Sequence, residues 1–452
     1  MANPPADLTP LAREEELLAP FVSSQKAAQK LGAEMEKFGV DAAGAPIDYD
    51  GPSGVMRFFE ELQRVGQWSP DSEVSGGPIL ALLKDGASIT LEPGSQFELS
   101  GAQHDSVHQV AAEIDAHMGE LAPLSKKLGV RWLGLGFQPF SKRTDYEFVP
   151  KQRYAIMRRY LPTRGSLALD MMLRTSTVQV NFDYASEADA MKKLRVGQAL
   201  APLTTALFAN SPFYEGAPFG GKTFRGKVWL DMDPDRSGLI PRLFANDASY
   251  VDYVQWALDC PMFLVKRGDR VLDNAGQTFR DFWKHGFEGE RATQGDWQLH
   301  LNTMFPEVRL KRTIEVRGAD SQNAANAPAL AALFAGIYYD PTALEAAFQL
   351  VAEYTFEEVE ACRARVPMEG LAAPLRGESL VTLGERVVDI ARAGLERRAL
   401  LDASGNDERI HLTALADRLG RGECPADDVL RLAKQGDFTR DAIIAASTIP
   451  LP

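Results

Sequence analysis

Cysteine is scarce in this chain: Cys260, Cys362 and Cys424 are the only three in 452 residues, far apart and without C-x-x-C spacing. That pattern supplies neither a disulfide framework nor a cysteine zinc site, and it suits a reducing cytoplasm. Long hydrophobic runs are missing too, and the amino-terminal MANPPADLTPLAREEELL has no basic segment leading into an apolar one. Membrane spanning and secretion are therefore not expected. There is no basic excess either: 49 Lys plus Arg stand against 62 Asp plus Glu, a formal charge of −13, with no block of consecutive basic residues. A nucleic-acid partner held through its phosphates is disfavoured. An acidic protein can still take a polyphosphate where divalent cations and a few local Arg or Lys residues reverse the sign inside a site.

Repeats and low-complexity tracts are also absent. With 45% hydrophobic and 25% charged residues, the composition is that of a globular protein. We expect one domain over residues 1–452, with a helical C-terminal portion at about 342–452. The stretch from about Ser106 to Leu121 places Val107, Val110, Ile114, Met118 and Leu121 on one helix face. Ser186-x-x-Asp189 reads as a capping box, opening a helix that runs towards Asn210 with a kink at Pro202. Other segments alternate with period two. In Thr177–Asp183 the residues Val178, Val180 and Phe182 oppose Thr177, Gln179, Asn181 and Asp183. In Glu307–Arg317, read as one strand, Val308, Leu310, Ile314 and Val316 are apolar at even positions and Arg312 breaks the pattern. In Ser88–Glu92, Ile89 and Leu91 oppose Thr90 and Glu92 before Pro93-Gly94 turns the chain. Together these predict an α+β fold, with long helices beside a half-wet, antiparallel sheet.

One motif points elsewhere. Gly216-Ala-Pro-Phe-Gly-Gly221-Lys222-Thr223 satisfies G-x-x-x-x-G-K-T, the phosphate loop of a nucleoside triphosphatase. That chemistry needs a buried strand entering the loop and a helix leaving it. Here a helical stretch precedes the loop, Pro218 removes an amide, and TFRGKVWL follows with residues that favour extended chain. We read no working phosphate loop. Asp231–Gly238 resembles a calcium loop, but Arg236 stands where glycine is required and Arg242 where the bidentate Glu belongs, so it reads as a turn. Gly134-Leu-Gly136 lacks a third glycine and carries little information.

More informative are acidic residues at i, i+2 spacing or on the polar side of strands: Glu34 and Glu36, Glu92 and Glu98, and Glu315. Carboxylates converging on one surface repel unless divalent cations sit between them, and such cations bind ATP oxygens in turn. For any one of them alone a solvated strand face is the plainer reading, and QKAAQKLGAEMEKF taken locally is more helical than extended.

The sequence resembles a known family at this point, the plant-type glutamate–cysteine ligases. The residues that carry the resemblance are Gly32-Ala-Glu34-Met-Glu36-Lys-Phe38, Leu91-Glu-Pro-Gly-Ser-Gln-Phe-Glu-Leu-Ser-Gly101, Pro150-Lys-Gln-Arg-Tyr154 and Leu169-Asp-Met-Met-Leu-Arg-Thr175. They continue with Val178-Gln-Val-Asn181, Ala209-Asn-Ser-Pro212, Phe305-Pro-Glu-Val-Arg-Leu-Lys-Arg312, Glu315-Val-Arg-Gly-Ala-Asp320 and Gly394-Leu-Glu-Arg-Arg398. The match spans almost the whole chain, in order.

This resemblance implies a curved, mainly antiparallel sheet whose concave face forms the site, with helices packed outside, as in glutamine synthetase and the guanidino kinases. It also makes the Glu34 segment a strand. By the same resemblance Glu34, Glu36, Glu92, Glu98, Glu315 and Asn181 would hold Mg2+, or Mn2+ in its place. Lys311, Arg312, Arg317 and Gln179 would contact ATP, with Lys311 and Arg317 acting in catalysis. Arg153 and Arg225 would grip substrate carboxylates, as a guanidinium fork does. Phe263 stands where relatives carry Tyr near the cysteine pocket, and Met35 replaces a histidine between two of the glutamates. The implied reaction joins the γ-carboxylate of glutamate to the amine of cysteine with ATP, through an acyl phosphate. Partners would be small molecules, with no nucleic acid and no membrane, and the enzyme a cytoplasmic monomer or homodimer. Asn274 replaces the first cysteine of the plant regulatory pair, so no plant-style disulfide switch is expected. Alternatives left open are a γ-glutamyl ligase for another amino acid or amine, a nucleotide-binding regulatory protein without catalysis, and the phosphate-loop triphosphatase.

Overall fold

The computed structural model describes residues 7–74 and 76–452. Its centre is a nine-stranded sheet of β1 (Leu31–Val40), β2 (Ser69–Asp71), β3 (Ala81–Lys84), β4 (Ala87–Leu91), β5 (Phe97–Ser100), β6 (Arg131–Leu133), β7 (Thr177–Phe182), β8 (Val308–Leu310) and β9 (Ile314–Asp320). The order is β8-β9-β7-β1-β5-β4-β3-β2, with β6 beside the C-terminal end of β1. Every pairing in this sheet is antiparallel. The α+β class is as expected, and the Glu34 segment is a strand against its local helical pattern. Tertiary pairing on both edges of β1 outweighs that local propensity.

Alternation divides the sheet into two unlike faces. One carries Met35, Val178, Val180, Leu99, Ile314 and Val316, all buried in the main hydrophobic core. Against it lies the helix Pro328–Tyr338, buried along its whole length, with Phe334 and Tyr338 meeting Phe182 of β7. A second helix, Leu380–Arg398, crosses this one so closely that a Cβ on Gly394 would lie 1.8 Å from the Gly336 carbonyl, and glycine is therefore required there. The other face carries the charged and amide side chains. It was expected to be wet, but Glu315 is 0% exposed and Glu36 and Glu98 are each 7% exposed.

Three local expectations are corrected. Glu307–Arg317 is not one strand but a hairpin, in which Leu310 pairs with Ile314 and Arg309 with Glu315. A three-residue loop joins equal parities, so alternation runs through the turn unbroken, and the exception at Arg312 marks its tip. The helix opened by Ser186, whose side chain accepts from the Asp189 amide, ends at Ala199, and a separate helix, Ala201–Leu207, follows with Pro202 in its first turn. Proline is tolerated there but not in a helix interior. Lastly, TFRGKVWL is not extended: Thr223 caps a short helix, Phe224–Trp229, by accepting from the Gly226 amide. The Ser106-capped helix runs over Val107–Leu128, and helices dominate beyond 341.

Candidate active site

Strand register gathers the predicted carboxylates. Glu36 faces Glu98 across β1 and β5, and Thr90 of β4 faces Glu98 on its other side. Glu34 faces Gln179 of β7, while Asn181 of β7 faces Glu315 of β9, which in turn faces Arg309 of β8. Directly opposed side chains on one face sit about 4.5–5.5 Å apart at Cβ, so five strands place acid, amide and guanidinium groups on one surface. Glu92 joins them from the turn after β4, where its amide bonds the Gln96 carbonyl.

Two ends of this surface differ. At one end Glu315 receives Arg309 Nε at 2.6 Å, Arg317 Nη1 at 2.9 Å and Lys311 Nζ at 3.1 Å. Burial would raise its carboxyl, but Arg309, Lys311 and Arg317 outweigh burial and hold it well below the usual range. At the other end, among the described residues, no cation is ion-paired with the acids. Glu34 accepts only from Asn181 Nδ2 at 2.9 Å, Glu36 from the Thr177 amide at 3.0 Å, and Glu98 from Thr90 and Ser100 hydroxyls at 2.6 and 2.7 Å. Burial and the charges of Glu315 and Glu98 push Glu34 up to about 7. Burial together with Glu92 and Glu98 raises Glu36 well above its ordinary value, and burial together with Glu98 raises Glu92.

Carboxylates crowded on one surface have the donor chemistry a hard divalent cation completes, since carboxylate oxygens are its ordinary ligands. Glu34, Glu36, Glu92, Glu98 and Glu315 fit such an ion by donor type. Their present positions are not those of a closed cage: among the described residues, no three His, Cys, Asp or Glu side chains are grouped tightly enough to hold a metal.

The predicted basic residues are placed unevenly. Arg317 bonds Gln179 Oε1 as well as Glu315, and Lys311 is lowered by burial and by Arg309. Arg312, at the hairpin tip, is exposed and reaches Gln298, away from the acidic row. Arg225 is anchored through its backbone. Its amide donates to Ser211 Oγ, its guanidinium to the Arg317 and Gly318 carbonyls, and buried Asp320 lies 3.8 Å away while binding Ser211, Thr223 and the Asn210 amide. Arg153 opens the helix Gln152–Tyr160 and lies near Glu92, whose charge it helps offset. Phe263 is 1% exposed, with the Arg236 guanidinium 3.8 Å over its ring and Tyr160 edge-on at 5.7 Å. Its ring thus packs against these two residues.

Two participants escaped the sequence reading. Arg309 shares the parity of Lys311 and Glu315, a signal that was available. Lys151, in the same segment as Arg153, donates to the Leu91 carbonyl at 2.6 Å, and burial with Arg153 lowers it to about 8. The deceptive phosphate loop has another use. Its Gly216, with φ of 90°, turns a short hairpin of Phe213–Tyr214 and Ala217–Pro218, Lys222 pairs with Asp427, and Thr223 caps the helix that carries Arg225. The Asp231–Gly238 segment is a turn in which Asp233 and Arg236 pair, both fully buried.

Fold and surface define a class: an α+β protein whose antiparallel sheet turns one face into a buried row of acids bordered by guanidinium and ammonium groups. Comparison with known proteins narrows this. The model of glutamate–cysteine ligase family 2 (GCS2) matches residues 30–444. A chloroplastic glutamate–cysteine ligase of Medicago truncatula is 41% identical over 441 residues, covering 95% of this chain and 85% of that protein. The corresponding protein of Arabidopsis thaliana is 40% identical, over 95% of this chain and 82% of its own. The crystal structure of a Francisella tularensis glutamate–cysteine ligase in complex with AMP shares the fold, with a TM-score of 0.55 at 13% identity, covering 95% of this chain and 91% of that one. The chain belongs to glutamate–cysteine ligase family 2.

Proposed function

We propose that this chain is an ATP-dependent glutamate–cysteine ligase, forming γ-glutamylcysteine, ADP and phosphate. In the first step an oxygen of the glutamate γ-carboxylate attacks the γ-phosphorus of ATP, and the bond to ADP breaks. In the second, the cysteine amine attacks the acyl carbon, the new C–N bond forms, and phosphate leaves with the acyl oxygen while the amine loses a proton. The observation that carries this reading is the single buried face on which Glu34, Glu36, Glu92, Glu98 and Glu315 meet Lys311, Arg317 and Arg225, in a chain of this family.

Roles follow from position. Glu34, Glu36, Glu92, Glu98 and Glu315, with Asn181, would hold Mg2+ or Mn2+, which neutralises triphosphate charge when bound. Lys311 and Arg317 contact the transferred phosphoryl group, and Gln179 fixes Arg317 through their hydrogen bond. Arg312, exposed at the hairpin tip, is suited only to the outer part of a nucleotide. Arg225 and Arg153 take substrate carboxylates, and Phe263, which packs on Arg236, contributes to the amino-acid pocket. Bringing the reacting groups together supplies much of the rate gain. The three cysteines are buried and unpaired, which leaves thiol chemistry to the substrate and suits a cytoplasmic enzyme.

Product analysis tests the reading. The protein is incubated with ATP, magnesium and glutamate, plus cysteine or other amino acids and amines, and products are identified by mass spectrometry. Formation of γ-glutamylcysteine with ADP, dependent on both amino acids, is expected. AMP with pyrophosphate, preference for another acceptor, or ATP breakdown without amino acids would overturn it.

A further inference from the structure

Glu307 has no part in the roles assigned so far, yet it lines a small cleft, open to solvent, together with Arg225, Arg317, Trp229, Phe305 and Thr205. Within the cleft Trp229 and Phe305 meet edge to face at 6.2 Å, Arg225 lies 5.6 Å from the Trp229 ring centre, and Arg317 lies 5.8 Å from that of Phe305. The walls are thus two rings flanked by three guanidiniums, those of Arg225, Arg317 and Arg363, and Glu307 is the one acid among the lining residues. The Trp229 indole N–H is buried and has no acceptor among the described residues.

Glu307 itself is held in place. Its Oε1 accepts from Arg363 Nε at 2.6 Å, and Arg363 is braced by Glu360 at 3.0 Å and by the Trp229 carbonyl. Among the described residues none donates to Oε2. Gly318 keeps the space beside that oxygen clear, since a Cβ there would lie 3.4 Å from it and 3.2 Å from Thr205 Oγ1.

We propose that Glu307 Oε2 binds the α-ammonium group of the amino-acid substrate whose α-carboxylate is held by Arg225, an inference that rests on the ligase reading above. An α-amino acid carries both charges on one carbon, and this cleft presents a guanidinium and a fixed carboxylate to match them. Guanidiniums alone would accept any carboxylate, whereas a pinned acid disfavours analogues that lack the ammonium group, because Oε2 would then be left without a donor. The ammonium group belongs either to the glutamate donor or to the cysteine acceptor, and kinetics on the full chain tells them apart.

The test compares wild type with Glu307→Gln and Glu307→Asp. In Glu307→Gln the KM for one of the two amino acids should rise about tenfold or more, the loss of one charge-assisted bond. The KM for ATP and the melting temperature should stay close to wild type, and the amino acid affected identifies the source. Glutarate and 3-sulfanylpropanoate, used as competitive inhibitors, lack the ammonium group; wild type should bind one of them far more weakly than the parent amino acid, and Glu307→Gln should lose that preference. Glu307→Asp retains the charge and should recover part of it. Unchanged KM for both amino acids, with the analogue preference intact, would overturn the proposal. Direct binding of glutamate and cysteine by calorimetry needs no turnover, so it reads Glu307 even if Glu307→Gln is inactive. A wild type that makes no γ-glutamyl product defeats the ligase reading instead.

Discussion

The two ends of the acidic face use one residue type for opposite purposes. Glu315 is ringed by Arg309, Lys311 and Arg317 and is held ionised. Glu34, Glu36 and Glu92, on the same surface, are pushed towards the neutral form because burial and neighbouring acids outweigh the more distant cations around them. Burial is common to both ends, so cations within reach decide the sign. One end is finished by folding and the other is left for a mobile cation to finish. Stability and activity should therefore separate along the sheet.

The largest effect is expected at the finished end. Glu315→Gln leaves Arg309, Lys311 and Arg317 without their common partner, and breaking a buried pair from one side costs about 3–5 kcal/mol. Denaturant unfolding should show that loss together with loss of activity. Glu34→Gln or Glu36→Gln should cut activity at least about a hundredfold, as removal of one electrostatic clamp does, with little change in unfolding midpoint. If both ends lose stability equally, the contrast between them is broken.

Smaller effects sharpen it. Arg225→Lys keeps the charge but not the fork, and should raise the KM for an amino acid by about tenfold while Asp320 and Ser211 still hold the helix start. His300 supplies a control away from the acidic row. It is buried, its Nε2–H donates to the Ala257 carbonyl, its Nδ1 has no partner among the described residues, and burial lowers it to about 3. The unfolded chain binds a proton below about 6.5 that the folded one refuses. Stability from this group is therefore complete above 6.5 and lost as pH falls towards 3. Replacing His300 with Gln should make the acid-side slope shallower by about 1.4 kcal/mol per pH unit, measured by urea unfolding at pH 4 to 6. Least affected should be Lys222→Ala in the rejected phosphate loop, where a partly exposed pair with Asp427 is worth under about 1 kcal/mol.

Legibility from sequence followed the same division. Alternation in β7 gave the polar face of that strand, because period two survives whatever lies across it, whereas Glu34 and Glu36 were placed on a strand only by the family resemblance. What alternation could not give was who faces whom. The Arg309–Glu315 pair depends on a hairpin whose three-residue loop preserves parity, so the segment reads as one strand and Arg312 as an anomaly. The helix bearing Arg225 was hidden by β-branched and aromatic residues, and it forms because Thr223 caps it and Asp320 anchors the cap. The helical pattern around Glu34 was real but weaker than pairing on both edges of β1. Which residues approach Glu92 was likewise invisible, since Lys151 and Arg153 arrive from a separate helix start.

The most direct test is thermal unfolding of wild type, Glu36→Gln and Glu315→Gln, each with and without magnesium and ATP. A ligand at a hundred times its dissociation constant adds about 2.7 kcal/mol to the folded state. The account predicts that Glu36→Gln unfolds at the wild-type temperature without ligand and fails to gain from magnesium and ATP, while Glu315→Gln unfolds lower from the outset. A Glu36→Gln protein that melts early yet keeps the full ligand gain, or a Glu315→Gln protein as stable as wild type, would contradict it.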